Sequence, residues 1–365
     1  MTKYELGNIL IYEQPTKYIV KSENYDDSFP VPVLTPGQTF ILGYTAETEG
    51  VYSAPLPVII FDDFTTATKL VNFPFKVKSS AMKILKPANE NVFLPYWYYF
   101  LSSLKVDNGL HKRYWISTFA NRQVHCPSFQ EQKRIAERLD KVQELIAKQK
   151  EQIAKLDLLI KSRFLDMFGD PISNPKKWPS RRMGDIFKIT SGGTPSTQED
   201  SYWLNGTISW IGSNLCQNII LNKNDGRFIT EKGLNNSSAK ILPVGTVLIA
   251  LVGATIGKTA LLNFSTTTNQ NVAAIWVSKE ESYDSLFVFY FIQGLYDLFM
   301  RLGSGKFKMA NLQFINNLPI FNVPLVLQSQ FANFVKSVEQ QKEVFSTRLS
   351  HLEILYKSLM QEYFG

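Results

Sequence analysis

A chain that writes one long amphipathic pattern twice has few folds open to it. From Gln132 to Gly169 it reads QKRIAERLDKVQELIAKQKEQIAKLDLLIKSRFLDMFG, and from Gln328 to Gly365 it reads QSQFANFVKSVEQQKEVFSTRLSHLEILYKSLMQEYFG, aligned without a gap. Identities fall at Gln132/Gln328, Ala136/Ala332, Val142/Val338, Leu156/Leu352, Lys161/Lys357, Ser162/Ser358, Phe168/Phe364 and Gly169/Gly365. Alternating steps of four and three pick out a seam in each copy. The first is Ile135, Leu139, Val142, Ile146, Gln149, Ile153, Leu156, Ile160, Arg163 and Met167, with only Gln149 and Arg163 not apolar. The second is Phe331, Val335, Val338, Lys342, Phe345, Leu349, Leu352, Tyr356, Leu359 and Tyr363, with Lys342 its one charged member. Neither run contains an internal Gly or Pro, and each spans roughly 50 Å at 1.5 Å per residue, longer than an ordinary globular helix. The seams are therefore expected to pair as an intramolecular coiled coil. A domain between them can return the chain to either end, so parallel and antiparallel pairing both stay open.

The segments outside the helices also repeat, more weakly. LGNI at Leu6 answers MGDI at Met183, TPGQTFIL at Thr35 answers LPVGTVLI at Leu242, and SSAMKIL at Ser79 answers QNVAAIWV at Gln270. Tyr99, Phe100 and Leu104 then align with Tyr290, Phe291 and Leu295. Short apolar runs between Gly, Pro, Asn and Asp turns indicate β-rich domains carrying a few helices. The expected class is α+β: a first domain over residues 1–126, a central helix over 127–169, a second domain over 170–323 and a distal helix over 324–365.

With 365 residues, two domains plus helices fit better than one core. The net charge of +7 is compatible with a polyanionic partner. Cys126 and Cys216 fall in different domains without a CxxC pair, which argues against a disulfide framework or zinc site and for a reducing, cytoplasmic setting. MTKYELGNIL places Lys3 and Glu5 where a signal peptide would turn apolar. The uncharged stretch from Ile241 to Gly257 is broken by Pro243, Gly245 and Gly253, so it is read as strand, turn, strand, and no membrane partner is expected.

This order of elements resembles the specificity subunit of Type I restriction-modification systems. The resemblance spans essentially the whole chain and rests most on KWPSRRMGDIFKITSGGTPS from Lys177, LPVGTVLIALVGATIGKTAL from Leu242, GSGKFKMANLQFINNLPI from Gly303 and EQKRIAERLDKV at the start of the central helix. It implies a non-catalytic subunit with two target recognition domains, each reading one half of a split site in double-stranded DNA. It also implies helices that hold the domains apart and dock two modification subunits, with restriction subunits in the full complex. S-adenosylmethionine, ATP and magnesium are then expected on those partners and none on this chain. A pseudo-twofold circular repeat follows, with Met1 expected close to Gly365, and half-sites about one helical turn apart are expected on one face of the duplex.

DNA readout needs cations and amides for phosphates and polar side chains for base edges. In the second domain, Ser191, Gly192, Thr194 and Ser196 in SGGTPST, Ser213, Asn214 and Gln217 in SWIGSNLCQN, Lys258, and Lys306, Lys308 and Asn311 in GSGKFKMAN offer both. In the first, Lys78, Ser79 and Ser80 in KVKSS and Lys112, Arg113 and Tyr114 in HKRYW do so.

Other chemistries fit less well. GATIGKT, Gly253 to Thr259, is one residue short of a phosphate-binding P-loop and runs into a strand pattern where a helix is needed. NFPF at Asn72 and NPKKW at Asn174 depart from the Asn-Pro-Pro-aromatic motif of amino methyltransferases, and no GxGxxG is present. Asp62 and Asp63 lack a spaced acidic partner, and His111, His125 and His351 are scattered. A coiled-coil scaffold that binds only protein and a nucleotide-binding enzyme using Gly253 to Thr259 remain the alternatives.

Overall fold

The computed structural model describes residues 3–35, 39–53, 55–104, 113–277, 283–302 and 309–365. The chain divides into two compact units: unit one is Met1–Lys150 with Thr347–Gly365, and unit two is Glu151–Ser346. The dividing line crosses both long helices, so each unit takes a piece of each.

Unit one is built on an antiparallel sheet in the order Leu10–Glu13, Met82–Pro87, Val58–Asp62, Thr68–Val71. Val58–Asp62 is buried from end to end, as the apolar run Val58–Phe61 requires of a central strand. A second sheet sets Val31–Leu34 between antiparallel Ile41–Thr45 and parallel Lys76–Val77. Helix Leu94–Ser103 carries Pro95 in its first turn and buries Trp97 and Tyr99 in the core. A short ladder joins Lys3–Glu5 to Gln123–His125.

Unit two repeats this plan. Its main sheet runs Lys188–Ser191, Val272–Trp276, Val247–Ala250, Thr259–Leu262, and then adds Ile219–Leu221, parallel to its neighbour and without a counterpart among the described strands of unit one. Ile208–Ile211 sits between antiparallel Phe228–Ile229 and parallel Thr267–Thr268. Helix Ser285–Gly294 takes the place of Leu94–Ser103, and Ser180–Arg182 pairs with Pro319–Phe321.

One of the matched sequence segments does not correspond. TPGQTFIL leads into Ile41–Thr45, a flanking strand of the three-stranded sheet, whereas LPVGTVLI leads into Val247–Ala250, the middle of the main sheet. The counterpart of Val247–Ala250 is Val58–Asp62. A Pro/Gly turn before a short apolar run specifies a strand but not its neighbours, so local pattern could not tell these two apart.

The central helix is Phe129–Phe168 and the distal helix Leu325–Phe364. They pair antiparallel, which settles the sense left open by sequence. In unit one, Arg138 Nη1 donates to Tyr363 Oη at 2.7 Å, Gln143 Nε2 donates to Tyr356 Oη at 2.9 Å, and Lys150 pairs with Glu353 at 3.0 Å. In unit two, Asp157 meets Lys342 at 2.7 Å and Phe164 packs on Phe331. Ile135, Leu139, Val142, Ile160, Phe331, Val335 and Val338 are buried, while Ile146, Ile153, Leu156, Phe345, Leu349, Leu352 and Tyr356 are half-buried, as expected where a two-helix contact covers only part of each stripe. Lys342 is held by Asp157 and by Glu339 at 2.9 Å.

The seam departs from the expected register after Ile160. Arg163 is exposed and pairs with Asp166, and the buried positions become Phe164 and Phe168. Two steps of four replace a four-three pair because both rings turn toward Phe287, and Phe164 also toward Phe291, in helix Ser285–Gly294. Phe364 plays the part of Phe168 in unit one, packing on Tyr96 and Phe100. The end of the distal helix thus belongs to the unit that opens with Lys3–Glu5, in keeping with a circular repeat, although Met1 lies outside the described residues.

The identity Gln132/Gln328 has a shared physical cause. Both side chains are fully buried at the start of a long helix. Gln132 Oε1 accepts from Phe93 N at 2.9 Å and Trp97 Nε1 at 3.1 Å, while its Nε2 donates to Asn91 O at 3.1 Å and Pro127 O at 2.9 Å. Gln328 Oε1 accepts from Asp284 N at 2.9 Å and its Nε2 donates to Val323 O at 2.8 Å. Each amide staples a long helix to the entry of its unit's aromatic helix, leaving no orphan polar atom on that amide.

Candidate nucleic-acid interface

In unit two, three of the expected residues are joined by hydrogen bonds. Ser213–Leu215 is a single tight turn that presents Asn214, and Gln217 follows it. Gln217 Nε2 donates to Asn214 O at 3.0 Å, and Lys258 Nζ donates to Gln217 Oε1 at 2.9 Å. Arg227, which the sequence reading passed over, extends the row: its Nη2 donates to Asn214 Oδ1 at 3.3 Å. Ser213 lies half-buried in the same turn. Thr194 donates to Gln270 Oε1 at 2.6 Å, and Ser196 is exposed with its carbonyl accepting from Trp203 Nε1 at 3.0 Å.

Other expected residues are placed differently. Gly192 is buried, and a Cβ there would come within 2.0 Å of Thr268 O, so this glycine permits close packing and is not a point of contact. Ser191 is half-buried at the end of a strand. Asn311 caps helix Leu312–Asn317, its Oδ1 accepting from Phe314 N at 2.8 Å. Tyr114 is buried in the core of unit one, against the expectation of an exposed contact: it shares a cluster with Phe61 and Trp115, and its N–H donates to Asp63 O at 3.0 Å. Lys112, Lys306 and Lys308 lie outside the described residues.

In unit one, Lys78 pairs with Glu23 and lies 5.9 Å from the centre of the Tyr25 ring. The Glu23 carboxylate raises the Lys78 ammonium above its ordinary range, so Lys78 stays cationic. Ser79 Oγ accepts from Ala81 N at 3.3 Å, Ser80 is exposed beside Gln14, and Arg113 is exposed.

GATIGKT is a hairpin turn. Ile256 N donates to Gly253 O, Gly257 N to Ala250 O and Lys258 N to Thr255 O, so these amides are occupied within the loop, and strand Thr259–Leu262 follows. The chemistry of a phosphate cradle, which needs free converging N–H groups and a helix N-terminus, does not fit. The equivalent turn of unit one holds Asp62 and Asp63. Asp62 caps its own turn through Phe64 N and Thr65, and Asp63 pairs with buried Lys83 at 3.3 Å.

Each unit also exposes a pair of large apolar residues on its long-helix segment, at positions related by the repeat. In unit two these are Leu158, 63% exposed, and Leu159, 45%; in unit one they are Ile354, 62%, and Leu355, 43%. Single exposed leucines are commonplace, but matched pairs on both copies are not what solvation alone selects. Among the described residues no helix is long and apolar enough to cross a membrane.

The Type I restriction modification DNA specificity domain matches the chain twice, over residues 1–157 and 175–353. The chain is 39% identical over 288 residues to the specificity subunit of the Type I restriction enzyme EcoR124I/EcoR124II of Escherichia coli, across 74% of this chain and 69% of that one. It is 37% identical over 99 residues to the MjaIX specificity subunit of Methanocaldococcus jannaschii, across 26% and 22%. Among solved structures, the S subunit of a Type-I restriction-modification system from M. genitalium shares the fold, with a TM-score of 0.64 at 15% identity over 100% of this chain and 96% of that one.

Proposed function

Because this chain belongs to the Type I restriction-modification DNA specificity family, as a specificity subunit, we propose that its two units each read one half of a split, asymmetric sequence in double-stranded DNA. The observation that carries this reading is the doubled plan with unlike side chains. Apart from the added strand Ile219–Leu221 of unit two, the described strands of the two units correspond, yet Trp210 of unit two, in register with Thr267, stands where unit one has Val33, in register with Lys76. Equal scaffolds with different contact residues suit two different half-sites.

The chain itself supplies recognition and carries no catalysis. S-adenosylmethionine, ATP and magnesium belong to the modification and restriction subunits. Two modification subunits dock on the two helix segments, one at Leu158 and Leu159 and one at Ile354 and Leu355, since a repeated apolar pair suits two copies of one partner. The test is to co-express the chain with its modification subunit, purify the complex and map methylated positions on random DNA. A split motif with a constant spacer is expected. A stable complex without any such motif would leave a protein-only scaffold instead.

Docking is tested separately. Leu158→Asp and Ile354→Asp should each remove one modification subunit, read as a loss of one subunit mass in native mass spectrometry, and the double variant should remove both. Unfolding of the variants should stay near that of the parent, because both sites are already exposed. Full assembly of the double variant would sink the assignment.

A further inference from the structure

Arg227 is held as a reading head, and we infer that it recognises a guanine in the half-site of unit two. The inference rests on the half-site reading above. Asn224, Asp225 and Gly226 form the turn that leads into Phe228–Ile229: Gly226 has φ +92°, its N–H donates to Asn224 Oδ1, and Asn224 Nδ2 donates to Arg227 O at 3.0 Å. The guanidinium is gripped on one edge. Nε lies 3.2 and 3.1 Å from the two Asp225 carboxylate oxygens, and Nη2 lies 2.6 Å from Oδ2. Arg227 in turn holds the Asp225 carboxyl below its ordinary range, so the grip is charged at neutral pH.

One face of the guanidinium lies on the Trp210 indole, 4.8 Å from its centre. Trp210 is itself immobilised: it is 5% exposed, its Nε1 donates to Gly193 O at 3.0 Å, and Trp203 packs edge-on against it at 5.3 Å. The Arg227 side chain nevertheless remains 43% exposed. Its Nη1 group has no partner among the described residues, and the one contact on its outer side is the long 3.3 Å bond to Asn214 Oδ1.

An arginine that merely solvates a loop does not need a carboxylate clamp, an aromatic platform and a pinned turn. A planar cation fixed on two sides, with the outward edge formed by its two terminal nitrogens, matches the O6 and N7 acceptors of guanine. Asn214 beside it can serve the neighbouring base edge, while Lys258, joined through Gln217, suits a phosphate. Unit one has Val33 at the position of the Trp210 platform, so this platform is not repeated at the matching strand.

The experiment uses the full chain in complex with its modification subunit, on a random DNA library, with methylation read at each position. Arg227→Ala should relax the guanine requirement at a single position of one half-site, raising methylation of the other bases there on the order of ten- to a hundred-fold relative to guanine. Every other position, including the whole second half, should keep its preference. Arg227→Lys, which keeps the charge and the fold but not the bidentate fork, should relax the same position. An unchanged motif in both variants overturns the inference while leaving the half-site reading intact. So does a uniform loss over all sequences with a shallower salt dependence, the signature of a phosphate contact. A wild-type complex without a split motif removes the half-site reading and this inference together.

Discussion

Asp63→Ala should destabilise unit one by about 3–5 kcal/mol, the usual loss when one member of a buried ion pair is removed. Asp63 and Lys83 are each about 1% exposed. Their ammonium and carboxylate lie 3.3 Å apart, Lys83 Nζ also donates to Gln14 Oε1 at 2.7 Å, and Asp63 Oδ1 accepts from Trp115 N at 2.8 Å. Alanine would strand a buried cation and a buried amide at once. Asp63→Asn keeps the acceptor for Trp115 N and should lose less. Pairing Asp63→Ala with Lys83→Met removes the stranded charge and should recover much of the stability, because the ion pair gains little over an apolar pair of equal volume. Hydrogen exchange resolved by unit is the measurement: protection should fall in unit one and hold in unit two. If Asp63→Ala changes protection in unit one by less than about 1 kcal/mol, this pair is not the fastening described here.

The second large effect is expected at the repeated glutamines. Gln132→Ala leaves Phe93 N, Trp97 Nε1, Asn91 O and Pro127 O without the partners they now have, in a site closed to water. Each unmet buried group costs about 1–3 kcal/mol, and partial relaxation brings the sum to roughly 3–5 kcal/mol. Gln132→Glu isolates the donor half of the network, since it keeps the acceptor toward Phe93 and Trp97 but turns two donated bonds into oxygen facing oxygen. Gln328→Ala should produce the corresponding loss in unit two through Asp284 N and Val323 O. Unit-resolved exchange and thermal unfolding would check the pair; equal loss in both units from either single variant would contradict the local account. The two glutamines would then owe their identity to something other than the staple.

The long helices, their seams and the doubling of the β-rich domains were legible in the sequence, because helical period and internal repetition are properties of residue order alone. The stretch Ile241 to Gly257, expected as strand, turn, strand, holds one strand, Val247–Ala250, and the turn at Gly253, with the second strand beginning only at Thr259, since the Gly-rich turn takes up the rest of the apolar run. The candidate interface was legible only in part. Asn214, Gln217 and Lys258 are joined by hydrogen bonds, but Gly192 and Tyr114 belong to the interior, packed against a Thr268 carbonyl and beside Trp115. Residue type marks a group as able to bind DNA, while burial decides whether it can reach any. Arg227 was missed because its significance comes from Trp210 and Asn214, more than ten residues away in sequence; the short NDGR turn offered the only local hint.

What the sequence determined by itself is the set of parts: two long apolar stripes, two sets of short strands, and polar turns between them. The tertiary structure decided how they combine. It chose antiparallel over parallel pairing of the helices and shifted the seam from Arg163 to Phe164. It also assigned TPGQTFIL and LPVGTVLI to different sheets. The physical reason is the same in each case. Periodicity fixes which face of an element is apolar, but the partner of that face is set by contacts between residues far apart in the chain, whose energies no local pattern records.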